Sequence, residues 1–207
     1  MRICVISDTH GLHAGLKLPA ADLLLCAGDV SLSGGRDEIV DFAAWWKKLS
    51  YPRKLFIAGN HDWLFQLHPR EARDIFPKGE YLQDSEARVG RLRIWGSPWQ
   101  PWFMDWAFNL KRGPALQAKW DRIPEGIDIL LTHGPPWKRA DLTRRGVRAG
   151  CRDLLRAVQR RVKPRWHVFG HIHESYGVME EAGTTFINAS ICDFWYRPVH
   201  RPLVFEL

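Results

Sequence analysis

Short apolar segments that recur along the chain are the feature that most restricts its fold. Each is too short for a buried helix and closes on glycine or a polar residue, which is typical of a buried strand. The segments read RICVIS, ADLLLCAG, RKLFIAG, RLRIWG, IDILLTH and WHVFG. Candidate helices lie between them. Strands that alternate with helices predict an α/β fold built on a layered sheet.

Two helices and a C-terminal hairpin complete the expected elements. Residues 36–50 carry apolar side chains at helical spacing and stop just before Pro52. Residues 150–163 predict a helix with an apolar stripe and a separate arginine stripe. The tail differs, because residues 176–190 indicate an antiparallel hairpin and residues 201–207 a last strand.

Length and composition indicate one domain over residues 1–207, since no linker, repeat or low-complexity segment interrupts the 207 residues. The formal net charge of +7 suits an anionic ligand. Four cysteines show no CxxC spacing, and Cys4 and Cys26 lie in apolar segments, which favours reduced thiols in a cytoplasmic protein. No secretory signal is visible, and no apolar run approaches the roughly 18 residues of a membrane span, so we expect no membrane partner.

Asp, Asn and His side chains follow five of the expected strands. In open α/β sheets, ligands bind outside the carboxyl ends of the strands, where loops from separate strands meet. We therefore expect these side chains to converge on one site. In chain order the residues are Asp8, His10, Asp29, Asn60, His61, Asp62, His133, His171 and His173.

Most of these side chains suit metal ions. Oxygen and imidazole donors without thiolate fit Mn²⁺, Fe or Zn²⁺, and the pattern does not choose among them. Asp8, His10, Asp29, Asn60, His133, His171 and His173 are too many donors for one tetrahedral ion but natural for two ions that share a carboxylate. Two divalent ions against two aspartates leave a charge of about +2, which attracts a phosphate ester and lowers the pKa of a bound water.

The order of these blocks, D-x-H, G-D, G-N-H-D, H and G-H-x-H, resembles that of the calcineurin-like metallophosphoesterases. Longer segments are similar to the brain-type metallophosphoesterase-domain proteins and their bacterial relatives, over nearly the whole chain. These segments are GSPWQPWFMDWAFNLKRG, LLTHGPPW, VFGHIHESYG and TTFINASICD. The resemblance implies a four-layer α-β-β-α sandwich of two sheets flanked by helices.

The resemblance also assigns the ligands of two divalent metal ions. It places Asp8, His10, Asp29 and His173 on one metal, with Asp29 bridging to a second metal held by Asn60, His133 and His171. Mn²⁺ is the expected metal, with Fe, Zn²⁺, Ni²⁺ and Co²⁺ as alternatives. His61 matches the histidine that protonates the leaving oxygen or stabilises the transition state.

The chain departs from the family pattern in two places. Its segment GDVSLSGG lacks the Asp and Arg found in relatives of the Ser/Thr protein phosphatases, which weighs against a phosphoprotein substrate. Asp62 stands where many relatives have Glu. It either orients His61 or caps a helix that begins at Trp63.

Several residues are candidates for substrate contact. Trp99, Trp102, Trp106 and Trp137 lie in loops beside the ligand-bearing strand ends, where they either stack on a nucleobase or pack within the loops. Isolated histidines at positions 13, 68, 167 and 200 are expected to be structural, and His13 is the candidate exception because it follows the first ligand loop.

A basic tract covers residues 138–165, with eleven Lys or Arg and only two Asp. A solvated helix face is the favoured interpretation, and a nucleic-acid groove is the alternative. In a further alternative, Arg144, Arg145 and Arg148 reach over the site and hold an anion.

The pattern as a whole predicts a dinuclear metal-dependent phosphodiesterase acting on small phosphodiesters, with cyclic nucleotides as the leading class. A metal-bridging hydroxide would attack phosphorus, and His61 would act as general acid. The alternatives are a nuclease on single-stranded nucleic acid and, from a different class, a non-catalytic metal-binding scaffold. The sequence predicts no oligomeric state.

Overall fold

The computed structural model describes residues 1–207, which form twelve strands and five helices. The strands are β1 (Arg2–Ile6), β2 (Leu23–Cys26), β3 (Arg53–Phe56), β4 (Ser85–Val89), β5 (Leu92–Ser97), β6 (Gln100–Pro101), β7 (Asn109–Leu110), β8 (Ile129–Thr132), β9 (Trp166–Phe169), β10 (Gly177–Glu181), β11 (Thr184–Asn188) and β12 (Leu203–Glu206). The helices are α1 (Arg36–Lys48), α2 (Trp63–Leu67), α3 (Pro69–Asp74), α4 (Pro114–Trp120) and α5 (Arg152–Ala157). None of the helices is long and apolar enough to pass through a lipid bilayer.

Two mixed sheets carry the fold. The first has the strand order β12-β1-β2-β3, with β1, β2 and β3 parallel and β12 antiparallel to β1. The second has the order β10-β11-β9-β8-β5-β4, parallel at its centre and antiparallel at both edges. A parallel bridge between Ser7 and Ser190 joins the two sheets just past the ends of β1 and β11. The carboxyl ends of the parallel strands therefore meet at one edge of the molecule.

Both faces of the central strands are buried, which explains why their sequences are continuously apolar. In β1, Ile3 and Val5 face the core between the two sheets, whereas Cys4 and Ile6 pack against the layer of α1, α2 and α3. A third core fills the space between the second sheet and helices α4 and α5. Three cores separate four layers, so the expected α-β-β-α sandwich is confirmed.

The expected elements are present with two differences. All six apolar segments form strands, residues 36–48 form α1, and the C-terminal hairpin and last strand are β10, β11 and β12. The segment 150–163 is not one uniform α-helix. After α5 it widens into a π-helical turn, Val158–Val162, and ends at Lys163 in the left-handed region (φ 47°). This ending turns the chain into Pro164 and β9.

The basic tract is only partly helical, which corrects the interpretation of a solvated helix face over residues 138–165. Residues 138–150 form turns and short bridges instead. The buried Asp141 carboxylate closes this loop, since it accepts from the backbone N–H of Lys138 (2.8 Å) and Gly150 (3.1 Å) and from the Arg148 guanidinium (2.7 Å). Loop closure by a single carboxylate leaves no periodic pattern in the sequence.

Candidate metal centre

The metal-ligand candidates converge where the two sheets meet. The first sheet supplies the residues after β1, β2 and β3, and the second sheet supplies those after β8 and β9. Four of the donors come from the first sheet and three from the second. They are Asp8, His10, Asp29 and Asn60, then His133, His171 and His173.

One group of donors consists of Asp8, His10 and His173. Their ligand atoms lie within 4.8 Å of one another. The Nε2 atom of His173 is 3.3 Å from Asp8 Oδ1 and 3.1 Å from His10 Nε2. The Ser190 hydroxyl donates to the other Asp8 oxygen at 2.8 Å, which fixes the carboxylate in place.

A second group consists of Asp29, His133 and His171, again within 4.8 Å of one another. His133 Nε2 is 3.3 Å from Asp29 Oδ2 and 2.9 Å from Asn60 Oδ1. The same Asp29 oxygen is 3.9 Å from His10 Nε2 in the first group. Asp29 therefore lies between the two groups, where a bridging carboxylate has to lie.

The imidazoles are oriented as ligands. Nδ1 of His10, His133 and His173 faces a backbone carbonyl at 3.3, 2.9 and 2.9 Å, respectively. An Nδ1–H that donates to a carbonyl leaves the Nε2 lone pair free to bind a metal. Two such Nε2 atoms, on His10 and His173, face each other at 3.1 Å and need a proton or a cation between them. The donor set thus fits two divalent cations.

Charges within the metal-free site are paired. Burial opposes the charged form of Asp29, but His133 and His61 hold the pKa of this carboxyl well below its usual range. Burial likewise opposes charge on His133, yet Asp29 raises the pKa of His133 to about 9. The same competition, with Asp8 as partner, raises the pKa of His173 to about 9. Burial lowers the pKa of His171 to about 3, so this ring is a neutral ligand.

Four of the ligand residues have a left-handed backbone, which is uncommon for residues other than glycine. Their φ angles are 54° for Asp8, 43° for His10, 52° for Asp29 and 68° for His171. Strain of this kind collects at functional sites, where the surrounding structure imposes it.

Two glycines make room for the carboxylates. A Cβ on Gly59 would collide with the carboxylate of Asp29, and a Cβ on Gly170 would collide with that of Asp8. The backbone therefore approaches both carboxylates more closely than any other residue type would allow.

His61 also lies within reach of the donors, since its ligand atom is within 4.8 Å of those of His10 and Asp29. Its Nε2 is 4.0 Å from Asp29 Oδ2, and its Nδ1 contacts the Leu32 carbonyl at 2.5 Å. Its backbone N–H donates to Asp29 Oδ1 at 2.8 Å. Trp106 stacks on the imidazole with ring centroids 4.1 Å apart. The ring is thus fixed on one side and presents Nε2 to the site.

Asp62 joins two ligand loops. Its buried carboxylate accepts from the Ser31 hydroxyl (2.6 Å), the Ser31 N–H (3.0 Å) and the Gly59 N–H (2.7 Å). Burial, reinforced by Asp29, raises the pKa of Asp62 to about 6. The helix α2 begins at Trp63, but the Asp62 side chain makes no capping bond, so the hypothesis of a helix cap is wrong.

The tryptophan candidates differ in their surroundings. The Trp99 indole N–H donates to Asp84 at 2.9 Å, and Lys119 lies 3.8 Å above the ring, which are packing contacts. Trp137 is half-buried with the Arg152 guanidinium 4.3 Å from its ring centre. Trp102 is 60% exposed in the loop before β7.

The two other substrate candidates lie apart from the donors. His13 packs between the rings of Phe42 and Trp45 on α1, with Nε2 3.2 Å from Asp41. These contacts favour a structural role. Arg145 is exposed in the loop that Asp141 closes.

Two aromatic residues that were not predicted from the sequence lie close to the donors. The Phe103 ring lies 6.2 Å from that of His171, and the Tyr196 ring lies 4.6 Å from that of His10. The aromatic segment DFWYR, residues 193–197, follows β11, whose carboxyl end borders the site. That position was the available signal for Tyr196.

Comparison with known proteins agrees with this geometry. Residues 1–175 match the family model described as calcineurin-like phosphoesterase. The whole chain is 44% identical to human metallophosphoesterase domain-containing protein 1, of which it covers 71%, and 37% identical to a Caenorhabditis elegans UPF0046 protein, of which it covers 60%.

Solved structures share the fold at low sequence identity. The phosphopantetheinyl hydrolase of Mycobacterium tuberculosis superimposes with a TM-score of 0.61 at 17% identity, over 97% of this chain and 95% of that one. The Thermus thermophilus protein TT1561 gives a TM-score of 0.59 at 13% identity, over 90% and 88% of the two chains.

The sandwich and its paired donor groups define a metal-dependent phosphoester hydrolase. More narrowly, the chain belongs to the calcineurin-like phosphoesterase family, whose members depend on two metal ions.

Proposed function

We propose that this chain is a dinuclear metal-dependent phosphodiesterase that hydrolyses small phosphodiesters, with cyclic nucleotides as the leading class. The observation that carries the proposal is the position of Asp29, which lies between two donor groups while His61 Nε2 is 4.0 Å from its carboxylate. Metal ligands and a proton donor thus surround one point. The core shared by the two sheets supports a single domain over residues 1–207.

Each metal would be held by both sheets. Asp8, His10 and His173 would hold the first, with Asp29 shared, and Asn60, His133 and His171 would complete the second. We propose Mn²⁺ for both positions, since oxygen and imidazole donors without thiolate suit it. Such ions supply Lewis acidity and lower the pKa of water towards neutrality.

His61 would move the proton in this reaction. The Leu32 carbonyl accepts from Nδ1–H and so directs Nε2 towards the site. A proton on Nε2 then passes to the leaving oxygen as the phosphorus–oxygen bond breaks. The stacked Trp106 covers one face of the ring and keeps water from that side.

The charge of the site favours a diester over a monoester. Two carboxylates and a bridging hydroxide against two divalent ions would leave about +1, which suits the single negative charge of a diester. The hydrogen bonds and ion pairs of Asp8, Asp29 and Asn60 include no Lys or Arg. No guanidinium therefore adds the charge that a dianionic monoester favours.

Aromatic side chains support a substrate with a planar group. Phe103 is 53% exposed next to His171, and Trp102 beside it is 60% exposed. Bases stack readily on such rings. We propose that these two residues, rather than the packed Trp99, form the platform for a nucleobase.

Three of the eleven basic residues in the tract are already paired with carboxylates, which reduces the positive charge available for a nucleic-acid groove. Arg148 is paired with Asp141 at 2.7 Å, Arg139 with Glu181 at 2.6 Å, and Arg156 with Asp153 at 3.3 Å. Paired arginines are less available to phosphates than free ones. Four buried, unpaired cysteines support a reducing compartment, and we propose the cytoplasm.

Turnover by the Mn²⁺-loaded protein tests the proposal. We expect hydrolysis of 3′,5′- and 2′,3′-cyclic AMP and GMP, and little hydrolysis of single-stranded DNA or RNA or of a phosphomonoester. The opposite preference would make the chain a nuclease. A fully loaded protein that leaves every phosphoester intact would be a metal-binding scaffold.

His61→Gln tests the proton donor. We expect this variant to keep its metal yet lose turnover by roughly 10²–10⁴-fold, the usual scale of general acid–base help. His68→Gln is the matched control, because His68 is exposed away from the donors. An unchanged rate on a substrate with a poor leaving group would remove His61 from the mechanism.

A further inference from the structure

We propose that Tyr196 is a further catalytic residue, whose hydroxyl donates a hydrogen bond to the same leaving oxygen that His61 protonates. The inference rests on the phosphodiesterase function proposed above and deepens it.

The tyrosine hydroxyl and the histidine face a common point. Tyr196 Oη lies 3.5 Å from His61 Nε2, and the tyrosine ring packs against the imidazoles of His10 (4.6 Å) and His173 (5.4 Å). Hydrogen bonds to oxygen are about 2.8 Å long. Two donors 3.5 Å apart can therefore both reach one oxygen atom placed between them.

The chain holds Tyr196 in place by a compact turn. The Asp193 carboxylate accepts from the N–H groups of Trp195 (2.9 Å) and Arg197 (3.0 Å), and it pairs with the Arg197 guanidinium. Tyr196 itself has a left-handed backbone (φ 60°), and its N–H donates to the Asp193 carbonyl at 2.9 Å.

The same turn is tied to the metal site. The Asp193 carbonyl also accepts from Nδ1 of His173 at 2.9 Å. The position of the tyrosine is thus coupled to a metal-ligand candidate. The Asp193 carboxylate thus holds Tyr196 in a strained backbone conformation that places its hydroxyl next to His61. Backbone strain of this kind is typical of functional sites.

The chemistry assigns the tyrosine a hydrogen bond and no proton transfer. When the ester P–O bond breaks, its electron pair goes to the leaving oxygen, and this oxygen takes the proton from His61 Nε2. Water supplies the oxygen of the new P–O bond and gives up one proton to solvent, from which His61 is reprotonated after the leaving group has departed. Tyr196 keeps its proton, because burial and the nearby Asp29 and Asp8 raise the pKa of its phenol, and it shares this proton with the leaving oxygen. Its contribution grows with the negative charge on that oxygen.

The dependence on the leaving group distinguishes this role from simple packing. Methyl phenyl phosphate and methyl p-nitrophenyl phosphate differ only in how much charge the leaving oxygen retains. We expect Tyr196→Phe to slow the phenyl ester about 10- to 100-fold, the scale of a hydrogen bond to a charged group, and the nitrophenyl ester only a few fold. Metal content by elemental analysis should equal that of the wild type.

Tyr176→Phe is the matched control. Its hydroxyl donates to the Arg201 carbonyl at 2.8 Å and its ring stacks on His200, so the variant removes a phenolic hydroxyl without touching the donors. Both esters should react with this variant at the wild-type rate.

Three results would overturn the inference. Equal slowing of both esters would show that the hydroxyl acts by packing, no slowing would show that it plays no part, and loss of metal would show that it positions ligands. A wild-type protein that hydrolyses neither ester would refute the proposed phosphodiesterase function itself.

Discussion

At the scale of residues, the metal-free site balances its charge with protons. Burial opposes the protonated form of both His133 and His173, but Asp29 and Asp8, respectively, raise their pKa values to about 9. Both rings are therefore charged at neutral pH in the metal-free protein. A metal ligand has to be neutral imidazole, so these protons must leave when metal binds.

Metal loading should therefore release about two protons from His133 and His173 at pH 7, and ionisation of a metal-bound water would add to that number. Because both pKa values are about 9, protons compete with the ions below that pH, and metal affinity should rise with pH up to about 9 and then level off. Calorimetric titration in buffers of different ionisation enthalpy measures the release. His68→Gln should release as many protons as the wild type, and an affinity independent of pH between 6 and 9 would contradict the expectation.

The candidate metal donors could be predicted from the sequence, whereas Tyr196 was signalled only by the aromatic segment that follows β11. Each donor directly follows an apolar segment, and the ends of parallel strands meet by geometry. Tyr196 reaches His61 only because the Asp193 carboxylate folds residues 193–197 into a turn with a left-handed residue. A turn of this kind produces no periodic pattern of apolar residues in the sequence.

At the scale of elements, Asp62 holds together the loops that follow β2 and β3. The loops carry Asp29 and Asn60, and the Asp62 carboxylate accepts donors from Ser31 in one loop and Gly59 in the other. The carboxylate thus positions ligands without contacting the His61 ring in any of these bonds.

Asp62→Ala should lower the free energy of unfolding of the metal-free protein by at least about 2 kcal/mol, because buried donors lose a charged acceptor. Urea unfolding in the presence of a chelator measures this without a contribution from metal. Asp74→Ala, at an exposed position in α3, should stay within about 0.5 kcal/mol of the wild type. Equal stability of the two variants would refute the role of Asp62 as a link between loops.

Elements were predictable where both faces of a strand are buried. The edge strand β4 was missed because only Val89 of its five residues is buried, so SEARV has neither an apolar run nor a clear alternation. The loop of residues 138–150 was missed because tertiary bonds to Asp141 shape it. The local pattern of apolar and polar residues therefore predicts which strands are buried. It does not predict which loops are held in shape by a buried side chain.

At the scale of the whole molecule, the candidate metal centre takes its donors from both sheets. The first sheet supplies Asp8, His10 and Asp29, and the second supplies His133 and His173. Bound ions would therefore link two layers that otherwise meet through their shared apolar core and the bridge between Ser7 and Ser190.

Removing the metal should destabilise the entire fold. Ions that bind only the folded state contribute about 3–4 kcal/mol at concentrations of 100–1,000 times their dissociation constant. Thermal or urea unfolding with Mn²⁺ and with chelator should show this difference for the wild type. Asp29→Asn removes the shared carboxylate and should abolish most of the difference; a variant that keeps it in full would show that Asp29 does not bridge.

The four donor residues with a left-handed backbone would bind metal at a cost in stability. Glycine adopts this backbone region without a side-chain clash, so glycine at position 8, 10, 29 or 171 would relax the chain while deleting a donor. A strained backbone of this kind costs about 1–3 kcal/mol at each residue. Such a glycine would therefore recover strain energy in the metal-free protein while giving up the stabilisation that bound ions would add, so its net effect on stability would depend on whether metal is present.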